Sequence, residues 1–276
     1  MSIPEFSSIN VELSSEVGTI RLNRHETLNA FDAAMISDIT AAAAWFDRQN
    51  EIKVVVVRST ARAFSSGFHL SQFQATEPIQ SAEIGELGRR MIEAVASMRA
   101  ITVAVVNGHC IGGGVVLAAA CDFRYASNDT TFYLPETDLG IPLIWGGIPR
   151  LLREIGPLAT SEMVLLGKRV TAAEAKLLCL INEVHDSSDM DRAITDVVRA
   201  LCRRSALVLE TTKKQIAVSM NDMGPTDQSF LEQYGMLAAL LDDASVESRR
   251  AYLEESVLAA GTRKIPASDL RSVNEN

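Results

Sequence analysis

Residues 102–123, TVAVVNGHCIGGGVVLAAACDF, constrain the fold of this chain more than any other stretch. The first part, TVAVVNG at 102–108, is apolar at successive positions rather than alternating. A strand of that kind is covered on both faces, as in a parallel sheet. KVVVVRS at 53–59 is a second run of the same type. Parallel neighbours need a crossover, usually a helix. The spacing supplies one over 84–98, with Ile84, Leu87, Met91, Val95 and Met98 in register. An earlier helix spans Asp32 to Arg48, with Ile36, Ile39, Ala43 and Phe46 on one face. INVELSSEVGTIRLN, 9–23, alternates about a Ser-Ser-Glu turn and reads as a hairpin. FRYASNDTTFYLPE, 123–136, supplies two short strands. The class is therefore α/β.

Beyond about residue 150 the pattern is almost wholly helical: TSEMVLLG, TAAEAKLLC, MDRAITDVVRALCRR, then 205–219 and 226–260. Thr171 and Glu174 form a capping-box pattern, and Gly224-Pro225 breaks the last helical stretch. The polar end from about Gly261 reads as loose.

A net charge of −9 disfavours a general nucleic-acid role. The four cysteines, 110, 121, 179 and 202, have no zinc-ligand spacing and read as free thiols in a reducing compartment. No apolar run reaches the ~18 residues of a membrane span, and MSIPEFSS lacks a signal pattern. The expected location is the cytoplasm, and no metal site is expected.

Gly112, Gly113 and Gly114 each weaken a helix by ~1 kcal/mol against alanine, so bare backbone serves a purpose there. The first N–H groups of a helix lack partners, and glycine lets a ligand oxygen reach them. Neither GxGxxG nor GxxxxGK[ST] is present, which argues against a nucleotide phosphate. The loop AFSSGFHL, 63–70, also follows a buried strand and carries the small residues Ser65, Ser66 and Gly67. Two such loops can aim two N–H donors at one oxygen, forming an oxyanion hole. LPETDLGI, 134–141, places Glu136 just after a short strand.

Taken in order, RLNRHETLNAF (21–31), AFSSGFHL, NGHCIGGG (107–114), CDFRYAS (121–127), PETDLGI (135–141), GKRVTAAEAKLLCLINEV (167–184) and TTKKQI (211–216) resemble the enoyl-CoA hydratase/isomerase, or crotonase, superfamily. The resemblance spans about residues 9 to 260. It implies a spiral of ββα units over 1–200, a helical oligomerisation region over 201–265 that builds trimers or hexamers, and a loose tail over 266–276. It implies an acyl-CoA thioester as substrate, with CoA carried by the substrate and no separate cofactor. Ser66 and Gly113 match the two oxyanion N–H donors. Ser66, Gly67, Phe68 and His69 line the thioester and pantetheine site, together with Gly112, Gly114 and Val116, while Leu28 and Ala30 hold the adenine and pantetheine end. Lys213 or Lys214 matches a CoA phosphate contact. Helix 80–98, Phe73 and Trp145 line the acyl group.

Two-glutamate hydratases hold water between two carboxylates. Glu136 matches the second, but Val116 stands at the first. A lone carboxylate suits a different task, moving a proton from C2 to C4 of a 3-enoyl-CoA. The expectation is a Δ3-Δ2 enoyl-CoA isomerase with Glu136 as the acid–base group. The alternatives are hydration, carbon–carbon cleavage or decarboxylation of a specialised acyl-CoA with His69 or Asp138 assisting, and acyl-CoA binding without turnover. His25, His109 and His185 read as structural. Ile144 stands where the dienoyl-CoA isomerase and aryl-CoA dehalogenase branches carry aspartate, which disfavours both.

Overall fold

The computed structural model describes residues 3–69, 78–226, 229 and 232–262. Phe73 and the tail 266–276, both subjects of expectations above, lie outside the described residues. Nine strands and nine helices are present among the described residues. They run β1 (Ile9–Ser14), β2 (Val17–Leu22), α1 (Ala33–Asp47), β3 (Val54–Ser59), α2 (Pro78–Ala96), β4 (Ile101–Val106), β5 (His109–Ile111), α3 (Gly113–Ala119), β6 (Phe123–Ser127), β7 (Thr131–Tyr133), α4 (Gly147–Leu165), β8 (Val170–Thr171), α5 (Ala172–Leu177), β9 (Glu183–His185), α6 (Met190–Cys202), α7 (Ala206–Met223), α8 (Glu232–Leu241) and α9 (Asp243–Thr262).

The larger sheet has the order β1-β2-β3-β4-β6-β9, parallel throughout except for the β1–β2 hairpin. The smaller sheet is β5-β7-β8, extended by a single bridge between Ser65 and Cys110. Each turn of the chain therefore lays one strand in the larger sheet, touches the smaller one, and then forms a helix. β3 leads to Ser65 and α2, β4 to β5 and α3, and β6 to β7 and α4. This is the expected spiral of ββα units. Val54 to Val57 and all of β4 are buried, as strands covered on both faces must be.

Local signals hold closely. Asp32 caps α1 by accepting from Met35 N–H, and Ile36, Ile39, Ala43 and Phe46 are buried. Thr171 and Glu174 close a reciprocal capping box on α5. α7 ends at Met223, capped by Gly224. Helix α2 differs from expectation in its inward face. Leu87 is 44% exposed, and the buried stripe runs through Gly85, Gly88, Met91, Ile92 and Val95. A periodicity built on large apolar residues passes over glycines that pack tightly.

The C-terminal region also differs in part. The stretch 226–260 is divided into α8 and α9, and α8 folds back over its own protomer. Met236 and Leu240 form one apolar cluster with Leu139 and Ile141, directly beyond Glu136. α7 docks through Lys213, which is buried rather than exposed. Its Nζ lies 2.7 Å from Asp122 Oδ2 and donates to Ala100 O at 2.9 Å. The same Asp122 oxygen accepts from the N–H and hydroxyl of Thr102. This corrects the expectation of Lys213 as a phosphate contact, because its ammonium already joins α7 to the larger sheet. Lys213→Met should cost about 1–2 kcal/mol in a urea unfolding curve, because the ammonium's bonds are lost while Asp122 stays solvent-accessible and bonded to Thr102. It should leave the Kd for an acyl-CoA within about twofold. Lys214 is exposed and pairs with Glu210 at 2.7 Å. No helix among the described residues is long and apolar enough to cross a membrane.

Candidate active site

The loop after β3 is positioned by Asn29, a residue that the sequence reading passed over between Leu28 and Ala30. Asn29 is fully buried with φ +57°. Its amide donates to Ser59 Oγ, Ala63 O and Phe64 O, and its own carbonyl accepts from Ser65 Oγ. Asparagine tolerates left-handed backbone better than most residues, and its two amide hydrogens, one shared between two acceptors, serve three acceptors inside the protein. Asn29→Ala should cost about 3 kcal/mol or more in equilibrium unfolding, because buried carbonyls lose their donors.

This lacing settles which N–H groups the loop presents. Ser66 N–H donates to Leu28 O at 2.9 Å, and Ser66 Oγ donates to Thr27 O. The donor expected at Ser66 is thus already engaged, which corrects that assignment. Gly67 C=O and His69 N–H both bond to Phe31. Strand alternation therefore turns the N–H of Phe68 away from Phe31, and it is Phe68 that lines the cavity with Gly113. Leu28 and Ala30 sit in the lacing loop and do not line that cavity.

The three glycines serve three different neighbours. A Cβ on Gly112 would lie 2.8 Å from Glu136 Oε1, one on Gly113 2.2 Å from Trp145 Cζ3, and one on Gly114 2.9 Å from Ser65 Cβ. Gly112 adopts φ +51° and caps α3. Gly113 opens that helix, so its N–H has no carbonyl one turn back. The glycines bring the carboxylate, the indole and the first loop to a single point.

Glu136 is held by its backbone rather than by partners of its carboxylate. Tyr133 O accepts from Gly112 N–H at 2.8 Å, which ties β7 to the glycine turn. Glu136 O accepts from Ile141 N–H, and Pro135 O from Leu139 N–H. Thr137 Oγ1 donates to Val164 O, and Tyr133 Oη donates to Asp138 Oδ2 at 2.6 Å. Asp138 thus braces the turn and does not line the cavity. Glu136 is 8% exposed, and its Oε2 has no hydrogen-bond partner among the described residues. Burial pushes its carboxyl up to about 7, against a smaller lowering by its own N–H.

The cavity beside it is about 40 Å³ and is lined by Phe68, Gly85, Gly113, Val116, Glu136, Ile141, Leu143, Ile144, Trp145 and Met236. Among these described residues Glu136 has the one ionisable side chain. Val116 is 1% exposed and packs near Gly147. A perturbed carboxylate in an apolar cleft, beside a backbone N–H at a helix start, is equipped for proton transfer next to a carbonyl.

A family model for enoyl-CoA hydratase/isomerase matches residues 12–258. The chain belongs to the enoyl-CoA hydratase/isomerase family. It is 33% identical over 179 residues to a probable enoyl-CoA hydratase of Rhizobium meliloti, covering 65% of this chain and 69% of that one. It is 29% identical over 219 residues to a peroxisomal Δ(3,5)-Δ(2,4)-dienoyl-CoA isomerase of Arabidopsis thaliana, covering 74% and 78%. An enoyl-CoA hydratase/isomerase crystal structure from Xanthobacter autotrophicus Py2 superposes with a TM-score of 0.84 at 27% identity, covering 95% of this chain and 100% of that one. The crotonase fold of this family member and its acyl-CoA chemistry follow at that level.

The remaining expected residues fall into place around this frame. Gly67 has φ +84° and lies against Ile111 O, where a Cβ would come within 2.8 Å. His69 is half-buried near Asp32. Burial raises the Asp32 carboxyl, but hydrogen bonds from Met35 N–H and Arg24, and the charge of Arg24, outweigh it and hold it below its ordinary value. His69 does not line the cavity. His25 meets Thr60 Oγ1 on the surface, His109 is exposed on β5, and His185 stacks on Tyr125.

Proposed function

We propose that this enzyme converts a 3-enoyl-CoA to the 2-enoyl-CoA, with Glu136 as the single acid–base group. The observation that carries this reading is Val116. A buried valine and apolar neighbours occupy the wall where a second water-holding carboxylate would stand. The N–H groups of Gly113 and Phe68 are the proposed oxyanion donors. They receive the thioester oxygen as Glu136 removes a proton from C2, and the electron pair spreads over the thioester and the C3–C4 double bond. The protonated carboxyl then returns its proton at C4, leaving the double bond between C2 and C3. No atoms are gained or lost. Each oxyanion donor contributes about 3 kcal/mol to such a step. An acid poised near 7 can serve both halves of the transfer.

The apolar wall excludes water from the intermediate, which favours reprotonation over addition. The exposed Leu158, Leu165, Leu166, Leu207 and Val208 support self-association through the helical surface, as in a trimer or hexamer. A 3-enoyl-CoA deuterated at C2 tests the reading. Deuterium should be found at C4 of the 2-enoyl-CoA formed. Recovery of the 3-enoyl-CoA unconverted, or of 2-enoyl-CoA with no deuterium at C4, would defeat it.

A further inference from the structure

Helix α2 carries glycine at two positions one turn apart, Gly85 and Gly88, on the face that looks toward the cavity. Absent side chains there create space, but the structure shows what fills it. A Cβ on Gly88 would fall 2.0 Å from Trp145 Cε2, and one on Gly85 would fall 3.2 Å from Ile144 Cδ1. On its far edge the same indole lies against Gly113. Trp145 is thus wedged between α2 and the start of α3, 3% exposed, and edge-packed against Phe31 and Phe68 with centroids 5.8 and 6.4 Å away.

The backbone beneath it is locked. Trp145 itself has φ +69°, an unfavourable region for a bulky residue. Gly146 N–H donates to Glu232 Oε2 at 2.9 Å, and Gly146 O accepts from Arg150 Nη1 at 3.1 Å. Arg150 in turn holds Glu93 at 2.8 Å. The indole N–H finds no acceptor among the described residues. Strain and an unmet donor, held in place by an ion-paired network, mark a position kept for what it does to the cavity. The room left beside the indole is narrow: the centre of a water-sized sphere has about 40 Å³ to move in, where a single water needs ~10–15 Å³ on that measure.

We infer that Trp145, with Ile144 beside it, is the specificity-determining residue that limits this enzyme to short acyl chains. The inference rests on the reading that this cavity receives the acyl group, but not on isomerisation. Its test is binding without turnover, by calorimetry with butyryl-, hexanoyl-, octanoyl- and decanoyl-CoA. The wild type should bind butyryl-CoA at least tenfold more tightly than octanoyl-CoA. Trp145→Ala should abolish or reverse that ratio, and octanoyl-CoA should raise its Tm more than butyryl-CoA does. Should Trp145→Ala not fold, Trp145→Leu takes its place under the same criteria. Affinity in the wild type that rises steadily from four to eight carbons would overturn the inference. So would an unchanged ratio in a folded variant. Failure of the isomerase reading alone, seen as no Δ3-Δ2 conversion, would leave the binding ratio as predicted.

Discussion

Glu136→Gln should lower kcat for 3-enoyl-CoA isomerisation by about two to four orders of magnitude, since general acid–base groups contribute on that scale. Acyl-CoA affinity should change little, because the amide keeps the shape of the carboxyl. The same substitution should make the protein more stable at neutral pH. Glu136 is buried and its carboxyl titrates near 7 rather than 4.5, with burial as the cause. Its folded pKa therefore lies above the unfolded one, so the folded state binds the proton more tightly. Wild-type stability falls as pH rises from about 4.5 to about 7 and is flat beyond, through a total of about 3 kcal/mol. Glutamine carries no such penalty. Urea unfolding of both proteins at pH 5 and pH 8 should show a stability advantage for the variant that is larger at pH 8. In the wild type, kcat/KM should rise with pH through about 7, as the free enzyme's base ionises. A variant that is active, or no more stable at pH 8 than at pH 5 relative to wild type, would remove the role and environment assigned to Glu136.

Gly113→Ala should be nearly as damaging, for a steric reason. The new methyl would meet Trp145 Cζ3 at 2.2 Å, and the ring cannot retreat because Gly88 already lies against its other edge. Overpacking of this kind costs 1–3 kcal/mol and sometimes more, so a loss of about 3 kcal/mol in unfolding free energy is expected. Any relief by moving the start of α3 also displaces the Gly113 N–H from its proposed place at the thioester oxygen, which should reduce kcat/KM by at least about a hundredfold. The clash belongs to the pair of residues, so it should be non-additive. In a Trp145→Ala background, Gly113→Ala should cost less than about 1 kcal/mol. A full cost in that background would place the strain in the backbone rather than against the indole.

The parts of the site that were legible in the sequence are those set by neighbours along the chain. Gly112 to Gly114 and Glu136 follow strands that announce themselves, and Val116 is fixed by its place two residues after the glycines. The proposed donor on the first loop was not legible. Whether Ser66 or Phe68 turns its N–H to the cavity depends on pairing with Leu28 and Phe31, more than thirty residues earlier. Asn29 was overlooked for the same reason, since its three acceptors lie thirty or more residues later, at the end of β3 and in the loop after it. Lys213 reads as one of an exposed helix pair until Asp122 and Ala100 are brought beneath it. Gly85 and Gly88 dilute the apolar pattern of α2 while forming its tightest face. Trp145 acquires its role only between two helices that local pattern cannot bring together, and Met236 only when α8 folds back.

The central claim is that the missing second carboxylate at Val116 directs this enzyme to move a double bond rather than add water. Product partitioning tests it most directly. Purified enzyme is given a short 3-enoyl-CoA and, separately, crotonyl-CoA, and the CoA esters are separated and identified. The account predicts 2-enoyl-CoA from the first and no accumulation of 3-hydroxyacyl-CoA from either. Formation of 3-hydroxyacyl-CoA from crotonyl-CoA at a rate equal to or above that of isomerisation would contradict it.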